Sequence, residues 1–140
     1  MIELTTDLDW LKPVDLQGFF VGWPDAPSPE THLRILRNSH RVILAVDEAS
    51  GRPVGFINAL SDGILAAYIP LLEVLPEWQD RGIGRRLVER ICREYEDLYM
   101  LDLCCDPELA SFYEPLGFEE VTGMIRRHYE NQAGSIARGG

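Results

Sequence analysis

The stretch EVLPEWQDRGIGRRLVERI, residues 73–91, places Gly82 and Gly84 where apolar spacing predicts the beginning of a helix. A glycine inside a helix costs about 1 kcal/mol relative to alanine, so the pair is expected to have a compensating role. The first N–H groups of a helix carry the positive end of its dipole, and glycine lets an anion approach them without a Cβ in the way. Arg81, Arg85 and Arg86 add positive charge at the same turn. We therefore predict a pyrophosphate site here.

Two common phosphate-binding loops do not fit this turn. A Walker loop needs a lysine followed by serine or threonine after its last glycine, and Arg85 and Arg86 stand there instead. The dinucleotide fingerprint needs a glycine or alanine at position 87, which is Leu87. A glycine turn that only packs closely against its strand remains the alternative interpretation of the motif.

Hydrophobic periodicity and turn residues predict the element order β-α-α-β-β-β-α-β-α-β. The strands are expected at residues 2–4, 41–48, 53–60, 64–75, 98–105 and 118–129, and the helices at 11–21, 29–39, 82–96 and 106–116. This order describes a mixed α/β (α+β) domain whose sheet is antiparallel early and has one βαβ crossover late. We expect a single domain over residues 1–130 and a disordered tail over 131–140. Pro70 predicts a bulge or an edge in its strand, because proline cannot donate to a ladder.

The composition narrows the class of protein. The 140 residues carry a net charge of −10, which argues against nucleic acid as a partner and is compatible with a cationic substrate. Cys92, Cys104 and Cys105 show neither a disulfide framework nor zinc-ligand spacing, so we expect reduced thiols and no metal. The start lacks a signal-peptide pattern, and the longest apolar run, residues 63–72, is too short to span a bilayer. We expect a soluble, cytoplasmic protein with no membrane partner.

Three motifs together resemble a known family. Gln79-x-x-Gly82-x-Gly84 follows the strand residues Leu72-x-Val74-x-Pro76-Glu77, and FYEPLGF stands downstream at residues 112–118. This combination resembles the GNAT superfamily of acyl-CoA-dependent N-acetyltransferases, over about residues 41–127. The resemblance implies a GNAT-like central mixed, mostly antiparallel sheet flanked by helices, with a splay between the two central parallel strands. It also implies that acetyl-CoA is the co-substrate.

The resemblance implies where the cofactor binds. Pantetheine would lie in the splay like an added strand and bond to backbone groups near Leu72 and Val74. The diphosphate would rest on the amides of residues 81–85, where arginine side chains could also reach it. Asp106 takes the place at which many family members have an asparagine that contacts the cofactor arm, although an N-cap role also explains it. The implied cofactor-binding residues are Leu72, Val74, Gln79, Arg81, Gly82, Ile83, Gly84, Arg85 and Asp106.

Tyr113 is the candidate catalytic residue. It matches the tyrosine that stands near the cofactor sulfur in many family members and acts as general acid, and a phenol is a sensible proton donor to a thiolate. Packing against Phe112 and Phe118 is the alternative role. The general base stays unassigned, because Tyr68 stands where some family members have a glutamate.

The remaining candidates have weaker support. Glu73 alternates with Leu72 and Val74 and is therefore expected to face away from their side. Asp102 is expected to be partly buried on its strand. Phe19, Phe20 and Trp23 lie where family members vary to shape the acceptor pocket, although core packing is the commoner fate of aromatic residues. The histidines, expected at the surface or as caps, show no metal spacing, and they are His32, His40 and His128.

These observations predict an N-acetyltransferase that moves an acetyl group from acetyl-CoA to a primary amine by direct attack. A small-molecule amine is the expected acceptor, and a protein amine is the second choice. A non-catalytic acyl-CoA-binding sensor is an alternative, and a nucleotide-binding regulator that uses the same glycine turn is another. The late strands also leave open a homodimer.

Overall fold

A five-stranded sheet forms the centre of the computed structural model, which describes residues 1–135. The strands follow the chain order across the sheet, and every neighbouring pair is antiparallel except the last, which is parallel. The mixed, mostly antiparallel sheet predicted from the sequence is therefore confirmed. The strands are β1 (Ile2–Thr5), β2 (Arg41–Asp47), β3 (Arg52–Ser61), β4 (Ala66–Val74) and β5 (Met100–Leu103).

Three α-helices accompany the sheet: α1 (Pro29–Arg37), α2 (Ile83–Glu94) and α3 (Ala110–Tyr113). α2 makes the parallel crossover from β4 to β5, and it begins at the predicted glycine turn. The helix predicted at residues 11–21 is wrong, because only a 3₁₀ turn forms there, at Pro13–Leu16. Gly18 and Phe20, with φ of 94° and 62°, take left-handed backbone conformations that end helical continuation.

The sheet separates two apolar cores. One lies under α2 and includes Ile43, Ile57 and Leu87, and the other lies under α1 and includes Leu36 and Phe56. Gly55 on β3 allows α2 to pack closely. A Cβ at this position would stand 3.2 Å from the Glu73 carbonyl oxygen and 3.3 Å from Leu87 Cδ1, both tighter than ordinary contacts. α2 is thereby held directly over the last residues of β4.

The predicted interruption at Pro70 is confirmed as a bulge. Asn58 of β3 pairs with Leu71 and Leu60 pairs with Tyr68, so two β4 residues stand opposite the single residue between them on β3. β4 pairs with β5 only as far as Ile69. Beyond that point β4 continues to Val74 while paired with β3 alone. This is the predicted splay, although β5 is at the edge of the described sheet rather than central.

The strand or hairpin predicted at residues 118–129 is wrong. Residues 118–128 belong to no strand, and the side chains of Val121 and Met124 are 78% and 97% exposed. Their β-branched and apolar composition favours an extended backbone, but a strand also needs a hydrogen-bonded neighbour. The residues described in the structure offer this segment none.

The predicted disordered tail is only partly within the described structure. Residues 131–135 lie near α1, where Gln132 Oε1 accepts the N–H of Asp25 at 2.9 Å. Residues 136–140 lie outside the described residues, so the predicted disorder of residues 131–140 and the domain boundary at 130 stay predictions. Among residues 1–135, no helix has the length and apolar character needed to cross a bilayer.

Candidate active site

At the free edge of β4, the backbone groups of Leu72 and Val74, two of the predicted cofactor-binding residues, face the splay. Leu75 donates its N–H to Val54 of β3 at 2.8 Å, whereas Gln79 Nε2 donates to the Val74 carbonyl at 3.0 Å. Alternate residues of a strand direct their backbone groups to opposite edges. The odd-numbered residues therefore bond to β3, and Leu72 and Val74 present their N–H and C=O groups to the splay. Gln79, another predicted residue, lies at the same edge.

The glycine turn joins β4 to α2 and contains two residues with left-handed backbones. Asp80 and Gly82 both have left-handed backbones, with φ of 62° and 78°. Gly82 is the N-cap of α2, and the first intrahelical bond runs from Arg86 N to its carbonyl at 3.1 Å. The N–H groups of Ile83, Gly84 and Arg85 precede that bond and have no acceptor within the helix. The predicted anion-binding amides are thus together and available.

Packing inside the protein does not explain Gly84. A Cβ at this position would lie 3.7 Å from Phe112 Cζ and 3.9 Å from Val74 Cγ2, which are ordinary van der Waals distances. The alternative interpretation, in which the turn only packs closely against its strand, therefore accounts poorly for this glycine. Gly82 has a different reason, because its positive φ disfavours a side chain although the space is open.

Replacing Gly82 by alanine is expected to lower the free energy of unfolding by about 1 kcal/mol, because a Cβ disfavours the left-handed backbone. Gly82→Asn is the matched control and should lose less, since asparagine tolerates this conformation better. Urea unfolding followed by circular dichroism measures both. Equal stability of the alanine variant and the unmodified protein would contradict the role given to the backbone here.

The three arginines of the turn have protein partners that point in different directions. The Arg81 guanidinium stacks 4.7 Å from the Trp78 ring centroid and donates to the Glu77 carbonyl at 3.1 Å. Arg85 forms an exposed ion pair with Glu89 at 3.2 Å, and Arg86 donates to the Ile2 carbonyl at 3.3 Å. Exposed pairs of this kind contribute at most about 1 kcal/mol, so they hold a guanidinium only loosely. The cofactor roles predicted for Arg81 and Arg85 stay predictions.

Tyr113 and Asp106 lie on the far side of the splay, after β5. Tyr113 is half-buried and makes edge contacts with Phe112 and Phe118, with ring centroids 4.9 and 5.7 Å apart. Burial raises the pKa of the Tyr113 phenol, with a smaller contribution from Cys105, so the hydroxyl stays protonated at neutral pH. Asp106 is the N-cap of a 3₁₀ turn at Pro107–Leu109, which leads into α3, but its side chain makes no capping hydrogen bond. The structural explanation for this aspartate is therefore incomplete.

Glu73 makes two hydrogen bonds that its sequence context did not predict. The prediction that it faces away from Leu72 and Val74 is confirmed, because these two pack under α2 and Glu73 points toward the other face. There its Oε1 accepts the N–H of Phe20 at 2.7 Å and its Oε2 accepts the N–H of Val21 at 3.1 Å. One available signal was that Glu73 is the only charged residue in the strand AAYIPLLEV.

Glu73 lines a cavity of about 340 Å³ beside the free edge of β4. The cavity is mostly apolar, and its lining residues are Phe20, Val21, Trp23, Phe56, Leu71, Leu72, Glu73, Pro76 and Gln79. A cavity of the same volume lies elsewhere, near Arg37 and Glu94, and contains none of the predicted site residues. Phe20 and Trp23 therefore line a pocket as predicted. Phe19 instead packs against both apolar cores.

Two residues are placed differently from the expectation. His32 is buried, with 1% of its surface exposed, rather than at the surface. Its ring lies within 5.5 Å of the rings of Phe19, Phe20 and Phe56, and within residues 1–135 neither nitrogen has a hydrogen-bond partner. Burial lowers the pKa of His32 from its ordinary 6.5 to about 4. Asp102 is exposed rather than partly buried.

Comparison with known proteins gives this geometry a family context. The model of the acetyltransferase (GNAT) domain matches residues 38–120. GCN5-related N-acetyltransferase 1, chloroplastic, of Arabidopsis thaliana is 30% identical over 114 residues, which are 75% of this chain and 56% of that protein. Serotonin N-acetyltransferase 2, chloroplastic, of Oryza sativa subsp. japonica is 33% identical over 111 residues, covering 76% of this chain and 54% of that protein.

Similarity to a solved structure extends over nearly the whole chain. A crystal structure of a candidate acetyltransferase from Deinococcus radiodurans R1 shares 48% identity with a TM-score of 0.93, covering 97% of this chain and 94% of that one. By contrast, this chain spans only about half the length of the two plant relatives. The family match, the strand splay and the glycine turn agree with one another, and the chain belongs to the GNAT acetyltransferase family.

Proposed function

We propose that this chain transfers an acetyl group from acetyl-CoA to a primary amine, and that the amine belongs to a small molecule with an aromatic or apolar body. The observation that carries the proposal is the adjacency of three features: the free edge of β4, the glycine turn and the cavity that contains Glu73. A cofactor along the first two would deliver its acyl end toward the third.

Pantetheine would bond to the outward backbone groups of Leu72 and Val74. The Val74 carbonyl already accepts from Gln79 at 3.0 Å, so Gln79 either shares this acceptor or turns to the cofactor. The diphosphate would bind the free N–H groups of Ile83, Gly84 and Arg85, with Arg81 and Arg85 released from their surface partners. Asp106, whose carboxylate caps nothing, would accept from an amide of the pantetheine arm.

The transfer would proceed by direct attack. The bound ammonium first loses one proton to water. The neutral nitrogen then forms a bond to the thioester carbonyl carbon, the C–S bond breaks, and the sulfur leaves with the electron pair. Tyr113, a phenol that is protonated at neutral pH, donates its proton to the sulfur as it leaves. The proton lost by the nitrogen passes to water, from which the tyrosinate regains one. No protein group is assigned as the base.

The cavity favours a cationic amine attached to an apolar group. Phe20, Trp23 and Phe56 supply aromatic walls, and Glu73 is the one ionisable lining residue. Its carboxylate can attract an ammonium while its two existing hydrogen bonds hold residues 20–21 in place. Serotonin, named in the rice relative, combines an aromatic ring with a primary amine and has this form. A protein amine remains the second candidate, and the cytoplasm stays the proposed compartment, consistent with the three free cysteines.

A panel of amines tests this function, with acetyl-CoA as donor and free thiol release as the signal. Arylalkylamines such as serotonin and phenethylamine should give higher kcat/KM values than aliphatic diamines, aminoglycosides or lysine peptides. Phenylethanol, which lacks the amine, should give none. Absence of amine-dependent thiol release with every member of the panel would refute the proposal.

Glu73→Gln is expected to raise KM for the preferred amine about tenfold, because the variant loses one desolvated charge interaction with the ammonium. The affinity for coenzyme A should not change. Glu77→Gln is the matched control, since it removes the same charge nearby from a residue that does not line the cavity. Equal KM values in the two variants would show that Glu73 does not recognise the amine.

A further inference from the structure

The segment of residues 119–128, here called the arm, pairs with no strand in the described part of its own chain. Every residue of the arm is exposed, and it contains no strand, turn or bend. Val121, Met124 and Ile125 are 78%, 97% and 61% exposed. Exposed apolar residues in a segment that pairs with no strand form a template for strand pairing.

Both ends of the arm are attached to its own chain. Phe118, just before the arm, packs edge-on against Tyr113. After the arm comes the 3₁₀ turn Tyr129–Asn131, and then Gln132 bonds to the N–H of Asp25. Near the end of the arm, Arg127 lies close to Tyr68 of β4. Burial and Cys104 raise the pKa of the Tyr68 phenol, and Arg127 lowers it. These attachments hold both ends of the arm, and all of its residues remain exposed.

The arm is complementary to a second copy of itself. Its sequence over residues 119–127 is EEVTGMIRR. Two such segments laid antiparallel about Gly123 put each glutamate opposite an arginine and each apolar residue opposite an apolar or neutral one. The opposed pairs are Glu119 with Arg127, Glu120 with Arg126, Val121 with Ile125, Thr122 with Met124, and Gly123 with itself.

We propose that two copies of this chain associate through antiparallel pairing of residues 119–127, with the two-fold axis at Gly123. The pairing satisfies backbone donors and acceptors in both arms and forms four oppositely charged cross-strand pairs. It is isologous, so the assembly closes at a dimer. Each copy carries a net charge of −10, but residues 119–127 contain two glutamates and two arginines, so like charge does not keep the arms apart.

The outer edge of β5 is the other available partner, and it fits the arm less well. β5 consists of Met-Leu-Asp-Leu and carries a single charge, so it offers no counterpart for both ends of the arm. Gly123 supports a two-fold axis at its own position. Its φ is not positive and a Cβ there would meet nothing within 4 Å, so the space beside this residue is open to a second strand.

Charge reversal tests the proposal with the full chain. Sedimentation velocity should show a concentration-dependent dimer. Glu120→Arg and Arg126→Glu should each weaken it about tenfold, because each single change places two like-charged pairs across the axis. The double variant Glu120→Arg/Arg126→Glu restores opposite charges and should recover the original dissociation constant within about threefold. A wild-type monomer at about 100 µM, or a double variant no better than the singles, would overturn the proposal.

A cysteine on the axis tests the register. In a Cys104→Ser/Cys105→Ser background, Gly123→Cys should form a disulfide-linked dimer under mild oxidation, since opposed strand residues lie about 4.5–5.5 Å apart. Glu77→Cys, exposed but outside the arm, should not cross-link. Thermal unfolding confirms that each variant is folded. A folded Gly123→Cys variant that stays monomeric under oxidation would rule out this axis.

Discussion

Tyr113→Phe is expected to lower kcat about 100-fold while leaving the dissociation constant of coenzyme A within twofold. The change removes only the hydroxyl that the proposed mechanism uses to protonate the leaving sulfur. The aromatic ring and its contacts with Phe112 and Phe118 remain. Stopped-flow thiol release measures the first quantity, and calorimetric titration with coenzyme A measures the second.

Tyr99→Phe is the matched control, because it makes the same chemical change at a residue that is 85% exposed. Its kcat should equal that of the unmodified protein. The experiment also separates an enzyme from the acyl-CoA sensor considered above, since a sensor has no turnover to lose. Unchanged kcat in Tyr113→Phe would remove this tyrosine from the mechanism and leave only its packing role.

His32→Leu is expected to remove a large part of the acid sensitivity of this fold. Burial lowers the pKa of His32 to about 4, whereas an exposed imidazole titrates near 6.5. As the pH falls below 6.5, His32 therefore binds a proton in the unfolded chain, whereas in the folded chain it stays neutral until the pH approaches 4. The stability associated with the neutral imidazole is fully present above pH 6.5 and is lost progressively down to pH 4. Over that window the loss amounts to about 3 kcal/mol.

Urea unfolding at pH 7.5, 6, 5 and 4 measures this difference. The free energy of unfolding of His32→Leu should fall by about 3 kcal/mol less than that of the unmodified protein over the same range. His128→Leu is the matched control, because it makes the same substitution at an exposed side chain. Parallel profiles for all three proteins would show that His32 is protonated without cost in the folded state.

Local features of the sequence predicted the fold well where the relevant contacts are local. The glycine turn, the length of α2 and the bulge at Pro70 depend on residues that are neighbours along the chain. Gly82 needs its left-handed backbone whatever surrounds it, and Pro70 lacks a donor in any context. Those predictions therefore agree with the structure to within one or two residues.

Two of the failures concern partners distant in sequence. The arm has the composition of a strand, but whether a strand forms depends on a neighbouring edge, and composition does not reveal that edge. His32 has the spacing of a core residue and the chemistry of a surface residue. Only the closure of Phe19 and Phe20, from the loop before α1, and of Phe56 on β3 over its ring decided in favour of the core.

The sequence by itself determined the family, the sheet with its crossover helix, and the corner at residues 80–85, because each is encoded by residues close to one another along the chain. The tertiary structure alone decided the pocket. Glu73 and Phe20 are 53 residues apart, and their 2.7 Å hydrogen bond forms only because the loop after residue 16 folds across the end of β4. A carboxylate takes whichever donors the fold brings to it, and no local pattern specifies which loop supplies them.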